Sequence, residues 1–263
     1  MDEWKIRNEK LIRELNLQTR QRNIPETNVP IDMIPGKVYS SDELPLITIA
    51  NGVSARTSWG RGAMLELLKM EPNADYPPQM LKGELFTIVE SGSASVLVNG
   101  MQKCLSEGDL IYLTKGSNRS LQAGSSGFKA IEVYSPIHVD HLRLTGADIQ
   151  VQVGYSEEIG GVDKSSIEQG AIIKLQDIPW TAVGPPKDES GNGGVDQSVA
   201  RSRIIWGKNV MLSFVEMAPN SAFPLHNHPE DQLMITLRGE LIEELAGSAP
   251  TMRGDKRDHI FQP

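Results

Sequence analysis

The sequence predicts an all-β protein in which one barrel-forming unit occurs twice, preceded by a helical arm. Short segments rich in β-branched and aromatic residues alternate with turn residues, as in sandwiches and barrels. A set of residues also recurs at constant spacing in the two halves of the chain. The 263 residues, of which 39% are hydrophobic, suffice for one large or two modest cores.

The internal repeat keeps a constant offset over a long segment. The pattern Arg-x-x-Trp-Gly-x-x-x-Met-Leu, which begins at Arg56, returns at Arg203. The pattern Met-x-Pro-Asn, which begins at Met70, returns at Met217, and the register holds without a gap as far as Gly100. Self-similarity over so long a segment is typical of a duplicated structural unit.

Further upstream the offset is smaller. Gly36 and Pro45 match Gly170 and Pro179, so the matched residues lie closer together here than in the main part of the repeat. The second copy contains a polar, glycine-rich stretch at residues 184–196, and its length accounts for the difference. Its composition predicts a mobile surface insertion. A duplication with one loop insertion therefore explains both offsets.

These matches divide the chain into four predicted parts. They are an N-terminal arm at residues 1–35, a first repeat at 36–142, a connector at 143–169 and a second repeat at 170–263. In the arm, residues 2–16 are charged with apolar positions at helical spacing, which predicts an amphipathic helix. In the first repeat, the strand-like segments are residues 85–89, 94–98, 110–113 and 128–134. Asn99-Gly100 predicts a two-residue hairpin turn, because both residues tolerate positive φ.

Composition excludes several classes of partner. A formal net charge of −8 argues against nucleic acid and anionic membranes. No apolar run approaches the roughly 20 residues of a membrane span, and the N-terminus lacks the layout of a secretory signal. The single cysteine, Cys104, fits a reducing interior, so we expect a cytoplasmic protein.

The chemistry-bearing residues lie in the second repeat. His226 and His228 are two positions apart, so in an extended segment both imidazoles point to one face. Gln232 follows after a short turn, where the next strand is expected to start, and its amide oxygen could complete a three-point face. Imidazole nitrogen and carboxamide oxygen suit Fe, Mn, Ni or Zn better than Ca or Mg. The alternative is that the two histidines simply lie on the surface near a proline-rich turn.

The spacing His-x-His, three residues, Gln232, six residues, Gly239 resembles the first motif of the cupin superfamily, with Gln where most cupins have Glu. The resemblance implies two tandem jelly-roll barrels of the double-stranded β-helix type. It also implies one divalent transition metal (Fe, Mn, Ni or Zn) held by His226, His228 and Gln232. A neutral third ligand predicts weaker metal binding and a stronger Lewis acid.

The first repeat keeps the scaffold without these ligands. By the offset, the three ligand positions correspond to Gln79, Leu81 and Leu85, and Glu84 alone cannot hold a transition metal. The segment Gly108 to Arg119 resembles the second cupin motif, with Arg119 where a fourth ligand, a histidine, is expected. Two interpretations of Arg119 stay open: an anion-binding group, or a surface or salt-bridged arginine.

The second repeat is predicted to be incomplete. Phe261-Gln262-Pro263 resembles Leu105-Ser106-Glu107 of the first repeat, which precedes the second motif. The segment equivalent to residues 108–136, with the fourth ligand, would then follow Pro263. His259 is a poor substitute for that ligand because it lies in a polar loop.

His138 and His141 form a separate pair, three residues apart with Asp140 between them. A metal site is conceivable there. We expect instead an exit segment of the first repeat with hydrogen-bonded histidines.

The functional prediction is a metal-dependent enzyme of small-molecule metabolism. Its substrate would be a polar carboxylate or sugar-like molecule, and its chemistry that of an isomerase, lyase or dioxygenase. The alternative is a non-catalytic module that binds a metal, a sugar or another metabolite. Resemblance to cupins also implies a homodimer. No general acid or base is identifiable, although Glu216 and Asp231 lie near the ligands in sequence.

Overall fold

The computed structural model describes residues 2–7, 10, 36–60, 62–146, 165–182, 199–223, 232–244, 251–253 and 259–262. In this part of the chain antiparallel strands predominate, as predicted. The first repeat contributes β1 (Val38–Tyr39), β2 (Leu46–Ala50), β3 (Val53–Trp59), β4 (Met64–Met70), β5 (Asp75–Met80), β6 (Glu84–Val98), β7 (Met101–Ser106), β8 (Asp109–Leu113) and β9 (Asn118–Ser135). Helix α1 (Val139–Leu144) follows β9.

The long strands β6 and β9 form the spine of the first barrel. The first half of β6 pairs with the second half of β9, and its second half pairs with the first half of β9. Strands β8 and β4 extend one side, while β7 and β5 extend the other. Both long strands therefore bend between two packed layers, and the alternate side chains that face inward form the main apolar core.

The segments predicted as separate strands at residues 85–89 and 94–98 are one strand, β6. Its pairing with β9 is irregular around Gly92, which has φ 78°. A Cβ at Gly92 would lie 2.1 Å from the carbonyl oxygen of Gly127, so only glycine permits this close approach. The bend carries β6 from one layer to the other. The hairpin turn at Asn99-Gly100 is confirmed by φ values of 48° and 82°.

The second repeat follows the same order. It contributes β10 (Ile172–Lys174), β11 (Trp180–Ala182), β12 (Ala200–Trp206), β13 (Met211–Met217), β14 (Gln232–Ile235), β15 (Leu241–Glu243), β16 (Thr251–Arg253) and β17 (His259–Gln262). The first residues of β12 and β13 match those of β3 and β4 at the offset of the repeat, and β11 matches β2 at the smaller upstream offset. Asn73 and Asn220, which the offset also matches, both have φ 58°. The duplication seen in the sequence is therefore also present in the strand order and backbone conformation of the two repeats.

The two repeats exchange their first strands. Strand β1 pairs with β17 of the second repeat, and β10 pairs with β8 of the first. The outer face of the first barrel also carries an apolar cluster, which includes Phe86 and Ile131 and extends to Ile178 and Ile205 of the second repeat. Backbone pairing and apolar burial thus join the repeats into one body.

Strand pairing corrects the predicted alignment of the C-terminal residues. Phe261 on β17 stands opposite Leu233, as Tyr112 on β8 stands opposite Phe86. Since Leu233 is the counterpart of Phe86, β17 is the counterpart of β8, and Phe261 does not correspond to Leu105. The prediction was wrong because the offset increases by two positions between β14 and β17. The chain therefore contains the equivalent of the first strand in the second motif.

Among the described residues, strand β13 has less cover than its counterpart β4. Strand β4 pairs with both β3 and β9, whereas β13, among the described strands, pairs with β12 alone. Met211 and Val215 are 43% and 49% exposed, while their counterparts Met64 and Leu68 are buried. In the described residues, the second repeat is thus less complete than the first.

Part of the predicted arm is helical, at residues 3–7 and at residue 10. Trp4 packs against the cluster between the repeats, and Arg7 lies 3.6 Å from Glu168. The rest of the arm and the insertion at residues 184–196 lie outside the described residues. No helix in the described part of the chain is long and apolar enough to cross a bilayer.

Candidate functional site

The predicted metal ligands are only partly described. His226 and His228 lie outside the described residues. Gln232 is the first residue of β14, as predicted, is half-buried, and stands opposite Gln262 of β17. His259 lies in β17 rather than in a loop, opposite Ile235.

The first barrel shows where the three ligand positions of a repeat point. Leu81 and Leu85, the counterparts of His228 and Gln232, are 2% and 0% exposed and belong to the inner core. Gln79, the counterpart of His226, lies on β5 opposite Arg119 of β9. Its side chain contacts the groups at the centre of the barrel. All three positions therefore face the barrel interior.

Arg119 is the centre of a buried polar cluster inside the first barrel. Its Nη1 and Nη2 atoms donate to the two carboxylate oxygens of Glu132 at 2.5 and 2.8 Å. Nη2 also donates to the Tyr134 hydroxyl at 2.8 Å, and the amide oxygen of Gln79 lies 3.4 Å from Nε. The guanidinium carbon is 4.8 Å from the centre of the Tyr76 ring.

The Arg119–Glu132 pair is a fully buried ion pair, with exposures of 1% and 0%. Burial by itself opposes ionisation of Glu132, but the adjacent guanidinium outweighs it and lowers the pKa of that carboxyl. Burial likewise opposes the charge of Arg119, and Glu132 raises the pKa of the guanidinium above its ordinary value. Arg119 is therefore salt-bridged, one of the two interpretations left open, and its donors are not free to bind an external anion.

Helix α1 brings the predicted histidine pair into the barrel. His141 Nδ1 lies 2.8 Å from Oε1 of Glu66, and its Nε2 lies 3.1 Å from the Tyr76 hydroxyl. His138 and His141 are 7% and 4% exposed, and their ring centres are 3.9 Å apart. The expectation of an exit segment with hydrogen-bonded histidines is confirmed, and the two side chains turn back into the barrel interior.

His138 is not arranged as a metal ligand. Its Nδ1 accepts the backbone N–H of His141 at 3.2 Å, which caps α1, and its Nε2 lies 2.5 Å from the side-chain amide nitrogen of Gln79. Burial, followed by the nearby His141, lowers the pKa of His138 to about 3. Within the described ranges, no group of three His, Cys, Asp or Glu side chains could hold a metal ion.

Glu66 is the second buried carboxyl of the interior. Burial raises its pKa, an effect that the hydrogen bond from His141 only partly offsets. Its Oε2 has no hydrogen-bond partner in the described structure, and neither has Oγ1 of Thr57, which stands opposite Glu66 on β3. The carboxyl of Glu66 is thus poorly solvated as an anion, unlike that of Glu132.

Glu84 points away from the interior and joins the two repeats. Its carboxylate accepts the backbone N–H groups of residues 208, 209 and 210 at 2.6, 2.7 and 2.8 Å. It also accepts the Tyr112 hydroxyl at 2.9 Å. A Cβ at Gly207 would lie 2.6 Å from a Glu84 oxygen, so glycine is required at this contact. Glu84 therefore has a definite role, and that role is not metal binding.

The interior partners Glu66, Thr87 and Glu132 were not identified from the sequence. The available signal was an acid or hydroxyl inside an otherwise apolar strand, at the position that alternation turns inward. Their mutual pairing depends on strand register, which joins residues far apart in sequence. The same alternation explains the outward direction of Glu84, because its neighbour Leu85 points into the inner core.

Comparisons by sequence give no assignment. No model of a protein family matches this sequence, and no curated protein matches it. Solved structures do match by fold. A variant of Bacillus subtilis oxalate decarboxylase has 14% sequence identity and a TM-score of 0.54, over 88% of this chain and 72% of that chain. A second variant of that enzyme has 16% identity and a TM-score of 0.52 over the same shares.

KdgF from Halomonas sp. matches with 19% identity and a TM-score of 0.37, over 40% of this chain and 97% of that chain. At these identities a likeness shows the fold alone. Fold and repeat together show a duplicated β-barrel architecture that is similar to the fold of oxalate decarboxylase. That match covers 88% of this chain and so extends over both repeats.

Proposed function

We propose that this chain is a bicupin, a protein with two cupin units, and that it is a metal-dependent enzyme of small-molecule metabolism. Its metal site would lie in the second barrel, on His226, His228 and Gln232. The observation that supports this proposal is the direction of the counterpart side chains at residues 79, 81 and 85, all of which face the interior of the first barrel. The same backbone path in the second repeat would direct two imidazoles and one carboxamide to a common point.

The donor set fits a divalent transition metal. Two imidazole nitrogens and one amide oxygen suit Fe, Mn, Ni or Zn. Mn(II) centres are present in the oxalate decarboxylase that shares this fold. When bound, such an ion supplies Lewis-acid polarisation of a substrate oxygen. Gln232 adds no negative charge, so the site would retain the full charge of the dication for an anionic substrate.

Proton transfer has to come from a residue other than the two acids near the ligands in sequence. Glu216 is exposed and pairs with Arg201 at 2.8 Å on the outside of the β12–β13 sheet. Asp231 is the counterpart of Glu84, which turns toward the boundary between the repeats. We therefore assign neither of them to the interior of the second barrel.

The substrate class that we propose is a polar carboxylate or a sugar acid. A site with a cation and no compensating ligand charge favours an anionic oxygen donor. Isomerase, lyase and dioxygenase chemistry remain the candidates. A cytoplasmic homodimer is the location and assembly that we propose.

The alternative is a non-catalytic binding module, and one observation favours it. The interior of the first barrel is filled by its own side chains, so one unit of this chain already exists without an external ligand. A panel of dicarboxylates, keto acids and unsaturated uronates, tested with metal-loaded and chelator-treated protein, separates the two functions. Metal-dependent turnover of any member supports the enzyme. Saturable binding without turnover supports the module.

A further inference from the structure

Arg119 occupies the place in the first barrel that faces the first ligand position. It stands opposite Gln79, the counterpart of His226 in the proposed metal site. We propose that the Arg119 guanidinium is a built-in cationic ligand, which fills in the first barrel the site that a metal ion fills in the second. The comparison with the second barrel rests on the proposed function, whereas the guanidinium site itself rests on described contacts alone.

The contacts surround the guanidinium on its edge and on one face. Glu132 and Tyr134 accept hydrogen bonds from its edge, and the Tyr76 ring lies against its face at 4.8 Å. Thr87 steadies the carboxylate by donating to Glu132 Oε1 at 2.9 Å. A planar cation with parallel N–H groups matches this arrangement, because it satisfies both carboxylate oxygens at once.

The charge of the site selects a monovalent cation. Glu132 is the interior carboxyl that the contacts keep ionised, while burial favours the neutral form of Glu66 by raising its pKa. The single ionised carboxylate balances the single charge of a guanidinium, and the site offers carboxylate and hydroxyl acceptors in place of the imidazole nitrogens proposed for the second barrel. The ligand class is consequently guanidinium or an alkylguanidinium. Because Arg119 supplies it covalently, the first barrel needs no ion from solution.

The test removes the tethered ligand and offers a free one. In the full chain, Arg119→Ala deletes the guanidinium while keeping the backbone of β9. The probe is ethylguanidinium at millimolar, non-denaturing concentration, and ethylammonium is the matched control because it has the same charge without the planar fork. The measurements are the thermal midpoint of unfolding and the dissociation constant by calorimetry.

Ethylguanidinium should raise the thermal midpoint of Arg119→Ala saturably and leave the wild type unchanged. It should bind at least about tenfold more tightly than ethylammonium, the ratio expected for a bidentate pair over a single hydrogen bond. Adding Glu132→Gln to Arg119→Ala should abolish the rescue, since the carboxylate is then absent. Where Arg119→Ala does not fold alone, the yield of refolded protein with each probe replaces the thermal midpoint.

Equal effects of the two cations, or rescue that survives Glu132→Gln, would overturn the proposal. So would a lack of any effect of ethylguanidinium on midpoint, binding or refolding yield. Metal content separates this result from the proposed function. The metal bound by the second barrel should be the same in refolded Arg119→Ala as in the wild type, so either idea can fail while the other stands.

Discussion

Arg56 and Arg203 make the same pair of hydrogen bonds in the two repeats, although the chain between donor and acceptors differs in length. Arg56 donates through Nη1 to the carbonyls of Asp42 and Leu44 at 2.9 and 2.8 Å. Arg203 donates through Nη1 to the carbonyls of residues 176 and 178, which are the counterparts of these two at the smaller upstream offset. The insertion in the second repeat therefore leaves this contact intact.

Replacing either arginine should destabilise the repeat to which it belongs. In Arg56→Met, two carbonyls of the turn after β1 lose a charged donor, which costs about 2 kcal/mol of unfolding free energy. Arg203→Met should cost a similar amount. Urea unfolding checks both variants. The matched control is Arg143→Met, since Arg143 is 63% exposed and its ion-pair partner among the described residues is Asp140, so its loss should cost about 0.5 kcal/mol or less. Equal losses in all three variants would contradict the assigned role.

Glu84→Ala should weaken the coupling between the repeats, which strand exchange and apolar contacts still join. The substitution leaves three backbone N–H groups of the β12–β13 turn and the Tyr112 hydroxyl without their acceptor. Each part-buried N–H that loses its acceptor costs about 1 kcal/mol and the buried Tyr112 hydroxyl about 1–3 kcal/mol, so a loss of at least about 3 kcal/mol is expected. Tryptophan fluorescence, with Trp59 in the first repeat and Trp206 in the second, should then report unfolding at a lower urea concentration and over a broader transition than in the wild type.

Glu71→Ala is the control for that experiment, because Glu71 is 56% exposed and pairs with Lys69 on the surface. It should change stability by less than about 1 kcal/mol. A Glu84→Ala protein that still unfolds in one transition at the wild-type urea concentration would show that the carboxylate does not join the repeats.

His138 should make the stability of the protein depend on pH. Its pKa is lowered by burial to about 3 in the folded state, against about 6.5 in the unfolded chain. Between these values the unfolded chain binds more protons, so stability falls as the pH drops through this window. Gln cannot titrate. Between pH 6.5 and 5, wild type should lose about 2 kcal/mol more unfolding free energy than His138→Gln.

The quantity to compare is the difference in unfolding free energy between wild type and His138→Gln, because the contributions of Glu66, Glu84 and Glu132 are the same in both proteins and cancel. Glu66 and Glu84, whose pKa values are raised, act in the opposite direction from His138. Parallel stability curves for wild type and His138→Gln over this range would mean that His138 titrates as freely in the folded protein as in solution.

Local pattern was enough to find the repeat, its strands and its tight turns. Asn99 and Gly100 illustrate this, since a turn that needs positive φ is determined by its own residues. The direction of the ligand positions also follows from alternation along a strand, as Leu81 and Leu85 show.

Long-range pairing could not be predicted from the sequence. The exchange of β1 and β10 between repeats depends on which strand edges remain open after each barrel forms, and no local signal carries that information. The partner of Arg119 is Glu132, on the same bent strand, and the bend around Gly127 is what brings them together. The alignment of Phe261 failed for a similar reason, because a change in loop length shifts the register without changing the strand pattern.

The most direct test of the central claim is the metal content of purified protein by elemental analysis. The wild-type chain should hold about one Fe, Mn, Ni or Zn ion, and His226→Ala should hold none while the first barrel stays folded. Gln79→Ala, which changes the counterpart position, should keep the wild-type metal content. An unchanged ion in His226→Ala, or its loss in Gln79→Ala, would contradict a metal site in the second barrel.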